Sequence, residues 1–75
     1  MTANEIKKFI THGHTLLGFE YKSKDGHIDP YGDSYLLYFD GNEQTVYSVE
    51  EVMTTPFING KCLNDVAKEL VITDM

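Results

Sequence analysis

No stretch of the 75-residue chain comes near the ~18 consecutive apolar residues that a membrane-spanning helix needs. The amino terminus has Glu5 and Lys7 where a secretory signal requires an apolar run. Both absences lead to the expectation of a soluble, cytoplasmic protein. Cys62 is the single cysteine, which excludes an intrachain disulfide and the stapled frameworks of secreted miniproteins. Arginine is missing altogether, and between Lys24 and Lys61 there is no lysine either. Surfaces that track phosphates are built from lysine and arginine, so neither nucleic acid nor an anionic membrane is expected as a direct partner. The chain also lacks a glycine-rich phosphate loop, a nucleophile elbow and an HExxH helix, and is read as not an enzyme. No repeat, low-complexity run or linker divides it, so residues 1–75 are expected to form a single domain.

What is present is acid and apolar bulk. Twelve Asp and Glu oppose six Lys, for a net charge of −6, and most of the excess lies after Lys24. The 41% hydrophobic content, with five Tyr and four Phe, suffices for one core and is too high for an intrinsically disordered chain. Lysine as the only strong base, beside many Asn, Ile, Tyr and Phe, matches the composition of AT-rich genomes, including those of phages and mobile elements.

The order of elements follows from periodicity. Thr2 and Glu5 form a capping box, and Ile6, Phe9 and Ile10 follow at helical spacing, predicting a helix over residues 3–11. From His14 to Lys22 the period becomes two, with Leu17, Phe19 and Tyr21 on one face of a strand. Residues 23–33 carry Asp25-Gly26, Asp29-Pro30 and Gly32, turn signals dense enough to predict a long loop. The apolar run Tyr35–Phe39 predicts a strand from Ser34 to Asp40, a tight hairpin turn follows over Asp40-Gly41-Asn42-Glu43, and residues 45–49 return as a third strand. Ser48 and Glu51 make a second capping box before a short helix stopped by Pro56. Phe57 and Ile58 anchor the chain ahead of an Asn59-Gly60 turn. Leu63, Val66, Ala67 and Leu70 then mark a last helix over 61–70, with Val71 and Ile72 extending it or pairing on a sheet edge. The fold class is α+β: a three-stranded antiparallel meander packed on one face by an N-terminal helix and two C-terminal helices, in the order α-β-β-β-α-α.

Few residues carry chemistry. His12 and His14 are spaced to share a transition metal, but His27 and Cys62, the other soft ligands, are far away in sequence, and no metal or other cofactor is expected. Asp25, Asp29 and Asp33 are spaced by four, which is not the ligand pattern of a calcium loop. Cys62 has no local His to activate it and reads as a small packed residue. What is left is charge. Asp25, Asp29, Asp33, Asp40, Glu43, Glu50 and Glu51, with Tyr35 and Tyr38, are the candidate partner-binding residues of a small non-catalytic domain. Its expected partner is a basic protein, and the natural form of such a domain is an inhibitor that presents carboxylates where the phosphates of a nucleic acid would lie. The alternative is a homo-oligomeric structural or accessory protein, such as a homodimer, that associates through an edge strand or through a sheet face carrying the aromatics Tyr21, Tyr35, Tyr38 and Tyr47.

Overall fold

The computed structural model describes residues 1–13 and 15–74. Helix α1 (Ala3–Gly13) leads into four strands, β1 (Leu17–Tyr21), β2 (Lys24–Tyr31), β3 (Ser34–Phe39) and β4 (Asn42–Val46). Helices α2 (Val49–Thr54) and α3 (Leu63–Val66) follow. A 3-10 turn at Ala67–Glu69 continues α3, and the final strand is β5 (Val71–Asp74). The sheet is antiparallel, with five strands in the order β4-β3-β2-β1-β5. The architecture is thus α+β in two layers, with two more strands than the meander expected from sequence.

The main correction falls on the loop expected over residues 23–33, of which Lys24–Tyr31 is strand β2 and Gly32 alone of the turn signals lies in a turn. Gly26 and Pro30 each have a local reason to sit in a strand. Gly26 lies between Phe19 on β1 and Phe39 on β3, whose rings lie nearly parallel at 6.4 Å. A Cβ at Gly26 would stand 2.5 Å from Cζ of Phe19 and 2.9 Å from the backbone oxygen of Tyr38, so glycine makes room for the ring above it. Pro30 pairs with Tyr35 of β3 at a position where its nitrogen faces β1, and β1 begins only at Leu17, opposite Ile28. No ladder bond is lost there, so the sheet accepts proline at this position.

Two-residue turns join all four meander strands. Lys22-Ser23 and Asp40-Gly41 each have two positive φ angles, the type I′ signature, while Gly32 alone has one in the β2–β3 turn. Other boundaries shift as well. The first helix runs two residues further than expected, and β1 begins at Leu17, the expected start at His14 lying outside the described residues. The third expected strand, 45–49, is β4 at Asn42–Val46, because the short turn brings Asn42 opposite Phe39. The last helix is broken at Val66, whose φ of −117° leaves the α region, and Val71 and Ile72 take the sheet-edge option as β5.

The capping box at α1 closes in both directions, and at α2 the Ser48 half forms while the Glu51 carboxylate reaches one residue further back. The Thr2 amide donates to Oε1 of Glu5 at 2.8 Å, and the Glu5 amide donates to Oγ1 of Thr2 at 3.2 Å. At α2 the Glu51 amide donates to Oγ of Ser48 at 3.1 Å, while Oε1 of Glu51 accepts from the Tyr47 amide at 3.1 Å. The helices bury Ile6, Ile10, Val52, Met53, Leu63, Val66 and Ala67 against Leu17, Phe19, Tyr21, Ile28, Leu37, Phe39 and Val46 of the sheet. Phe57 closes this core edge-on to Phe19 at 6.3 Å, and Ile58 is fully buried behind it. All this packing lies on one sheet face, and among the described residues no helix covers the other.

Candidate functional site

Alternation along the strands decides what the open face displays. With Leu17, Phe19, Tyr21, Ile28, Leu37 and Phe39 facing the helices, the residues between them face away: Glu20 on β1, Asp25, His27 and Asp29 on β2, Leu36 and Tyr38 on β3, Glu43 and Thr45 on β4. Register sets them side by side. Glu20 is opposite Asp25, Asp29 is opposite Leu36 and then Thr45, and one row runs Gly18, His27, Tyr38, Glu43 across four strands. His27 and Tyr38 stack at 4.7 Å between ring centroids with planes 15° apart. This half-buried aromatic pair is ringed by four carboxylates, and among the described strand residues that face away from the helices there is no lysine.

The sequence candidates divide accordingly. Asp25, Asp29, Glu43 and Tyr38 come together on the open face. Asp40 sits in the β3–β4 turn at one end of the sheet, its amide bonded to the Asp25 carbonyl at 3.0 Å and its carboxylate held by Nζ of Lys24 at 3.0 Å. Asp33 lies in the β2–β3 turn, at the opposite end. Glu50 and Glu51 belong to α2 in the helical layer, where Glu50 pairs with Lys7 at 2.7 Å and Glu51 serves as the cap. Tyr35 turns inward and packs against the core, and Tyr21 is 2% exposed within it. Of the four tyrosines that motivated an aromatic association face, Tyr38 alone stands in the middle of the open face; Tyr47 follows β4 and is 70% exposed.

Sequence reasoning missed Glu20, His27 and Leu36. Glu20 was legible, since the alternation of Leu17, Phe19 and Tyr21 already set it on the opposite side. His27 and Leu36 depended on β2 being a strand, which the local signals concealed.

A second feature lies at the border of the two layers beside β4. A surface cavity of about 410 Å³ is lined by Asp40, Asn42, Glu43, Gln44, Phe57 and Asn59, among others. Nε2 of Gln44 reaches the Pro56 carbonyl at 3.5 Å across its floor.

The remaining chemical candidates stay dispersed. His12 is exposed in the last turn of α1, and His14 lies outside the described residues. Cys62 is a free, half-buried residue ahead of α3 whose thiol donates to Oδ2 of Asp65 at 3.2 Å. Among the described residues no group of three or more His, Cys, Asp or Glu side chains is placed to hold a metal ion. No described helix is long and apolar enough to cross a membrane. Glu5 is the one described group with a resolved shift in acidity. Its carboxyl is held below the ordinary glutamate range chiefly by the hydrogen bond from the Thr2 amide, and it belongs to the α1 cap, away from the open face. Comparisons with protein-family models, with curated proteins and with solved structures found no match to this chain.

Proposed function

We propose that the protein is a small non-catalytic binding domain whose open sheet face engages a basic protein. The observation that carries this reading is the sign of that face: Glu20, Asp25, Asp29 and Glu43 surround the His27–Tyr38 stack with no lysine among the described outward strand residues. Charge of one sign over a flat surface steers a partner of the opposite sign and rejects like-charged ones. Asp25 and Asp29, four residues apart on one strand, span about 13 Å, and neighbouring strands add rows about 4.8 Å apart. Such an array of carboxylates suits the basic cleft of a nucleic-acid-acting protein, and occupying that cleft would inhibit it. Cytoplasmic residence in a bacterium, phage or mobile element belongs to the same proposal.

The test pairs the wild-type protein with a fourfold variant carrying Glu20→Gln, Asp25→Asn, Asp29→Asn and Glu43→Gln, both used as bait in host lysate and washed at 0.1 M and 1 M salt. The screening length falls from ~10 Å to ~3 Å between those washes. The reading expects one basic protein held by the wild type at low salt, released at high salt, and not held by the variant. Equal capture by both baits would sink it.

A further inference from the structure

Among the described residues no strand pairs with the outer edge of β4; this edge meets two conditions for adding a strand, and we propose that it is where the partner docks: an extended, basic segment pairs with β4 and places one cationic side chain in the adjoining cavity. This rests on the basic-partner reading above and gives it a geometry. Phe39 and Asn42 close a two-residue turn, so they exchange ladder bonds, and alternation then bonds Gln44 and Val46 to β3 as well. The amide and carbonyl groups of Glu43 and Thr45 therefore point away from the sheet. The edge ends at Tyr47, whose amide is taken by the Glu51 carboxylate at 3.1 Å. Natural edges are shielded by lysine, proline or a bulge. Strand β4, Asn-Glu-Gln-Thr-Val, has no lysine or proline and pairs with β3 in unbroken register.

The cavity supplies the second condition. In strand addition, main-chain bonds give affinity and pockets beneath alternate side chains give specificity. A residue opposite Gln44 would share its face and project over the cavity bounded by Asp40, Asn42, Gln44, Phe57 and Asn59. The charged residues of that lining are acids: Asp40, whose carboxylate also holds Lys24 at 3.0 Å, and Glu43, whose side chain alternates to the open face. The neighbours of that residue would face Glu43 and Thr45 and lie on the open face, continuous with its carboxylates. A second copy of this chain fits the same edge poorly, because it would bring another Glu43 and a second charge of −6 to an acidic surface.

The experiment uses the whole protein and a capped heptapeptide of alternating valine and arginine, with amide exchange followed by NMR at 0.05 M salt. Expected is at least tenfold slower exchange at Glu43 and Thr45 on peptide binding. Affinity should drop at least tenfold for the same peptide methylated on every backbone nitrogen, and for Thr45→Pro, which removes an outward amide where an edge strand accepts proline. Four results would overturn strand addition. Equal binding by the methylated peptide, or peptide-induced shifts confined to Glu20, His27 and Asp29, would do so while leaving the basic-partner reading intact. Protection at Glu43 and Thr45 that rises with protein concentration, without peptide, would assign the edge to a second copy. Absence of any binding at 0.05 M salt would count against both the edge and the acidic face.

Discussion

Gly26 shows how one residue can look like a loop and act as a strand. Its missing side chain is the space into which the Phe19 ring lies, held there by Phe39 on the far side and Phe57 at its edge. Gly26→Ala should therefore cost about 1–3 kcal/mol through overpacking, more than the small gain alanine gives by stiffening the unfolded chain. Urea unfolding of the two proteins decides the sign, and a stabilised alanine variant would refute the ring-over-glycine account. At the opposite end of the burial scale, Glu5 is exposed but specifically bonded. Its carboxyl titrates below the ordinary value, so the native state favours its ionised form. The cap is then fully formed above the ordinary glutamate pKa of ~4.3 and is lost as pH falls through the lowered one. Helix signal should decline over that acid window in the wild type. Glu5→Gln, which keeps the acceptor and removes the charge, should flatten this part of the profile.

At the scale of elements, the hairpin turns differ in how well their residues suit their geometry. Asp40-Gly41 is a favoured type I′ pair, whereas Lys22-Ser23 holds two side-chain-bearing residues at φ of 51° and 68°. Left-handed backbone costs an ordinary residue roughly 1–2 kcal/mol. Replacing Lys22-Ser23 by Asn-Gly should raise stability by about 1 kcal/mol, or several degrees in melting temperature for a domain of this size. An unchanged or lower melting temperature would show that the cation–π contact of Lys22 with Tyr21, at 5.4 Å, outweighs the strain. The helices gain more from capping than from length. Helix α2 has six residues, too few to be stable alone, and depends on Ser48, Glu51 and the burial of Val52 and Met53. Ser48→Ala should cost about 1 kcal/mol, read from the midpoint of denaturant unfolding.

Over the whole molecule, a chain of this length has a stability of about 4–11 kcal/mol at typical per-residue values. One fully buried aliphatic side chain is then a large share of it. Ile28, 0% exposed at the centre of β2, should cost about 2–5 kcal/mol on truncation to alanine, enough to leave that variant partly unfolded in water. The two ion pairs among the described residues, Lys7–Glu50 and Lys24–Asp40, are solvent-exposed and contribute little. The net charge of −6 works the other way, through self-repulsion. Moderate salt should accordingly raise the melting temperature of the free protein even as it weakens the proposed partner complex, a pair of opposite trends that one salt titration can follow. By itself the sequence determined the parts governed by neighbours within a turn or two: the capping box at α1 and the Ser48 cap of α2, the helical face of Ile6 and Ile10, the alternation of Leu17, Phe19 and Tyr21, a tight turn opening at Asp40 and the buried positions Leu63, Val66, Ala67 and Leu70. Only the tertiary structure decided that residues 24–31 are a strand, because Gly26 and Pro30 are permitted there by groups distant in sequence, the Phe19 ring and the early end of β1. It likewise decided that Val71–Asp74 pairs with β1, and that Glu20, Asp25, Asp29 and Glu43 share one face while Glu50 and Glu51 do not. Local chemistry sets the propensity of each segment; the register between strands sets which side chains meet, and register is a property of the closed sheet.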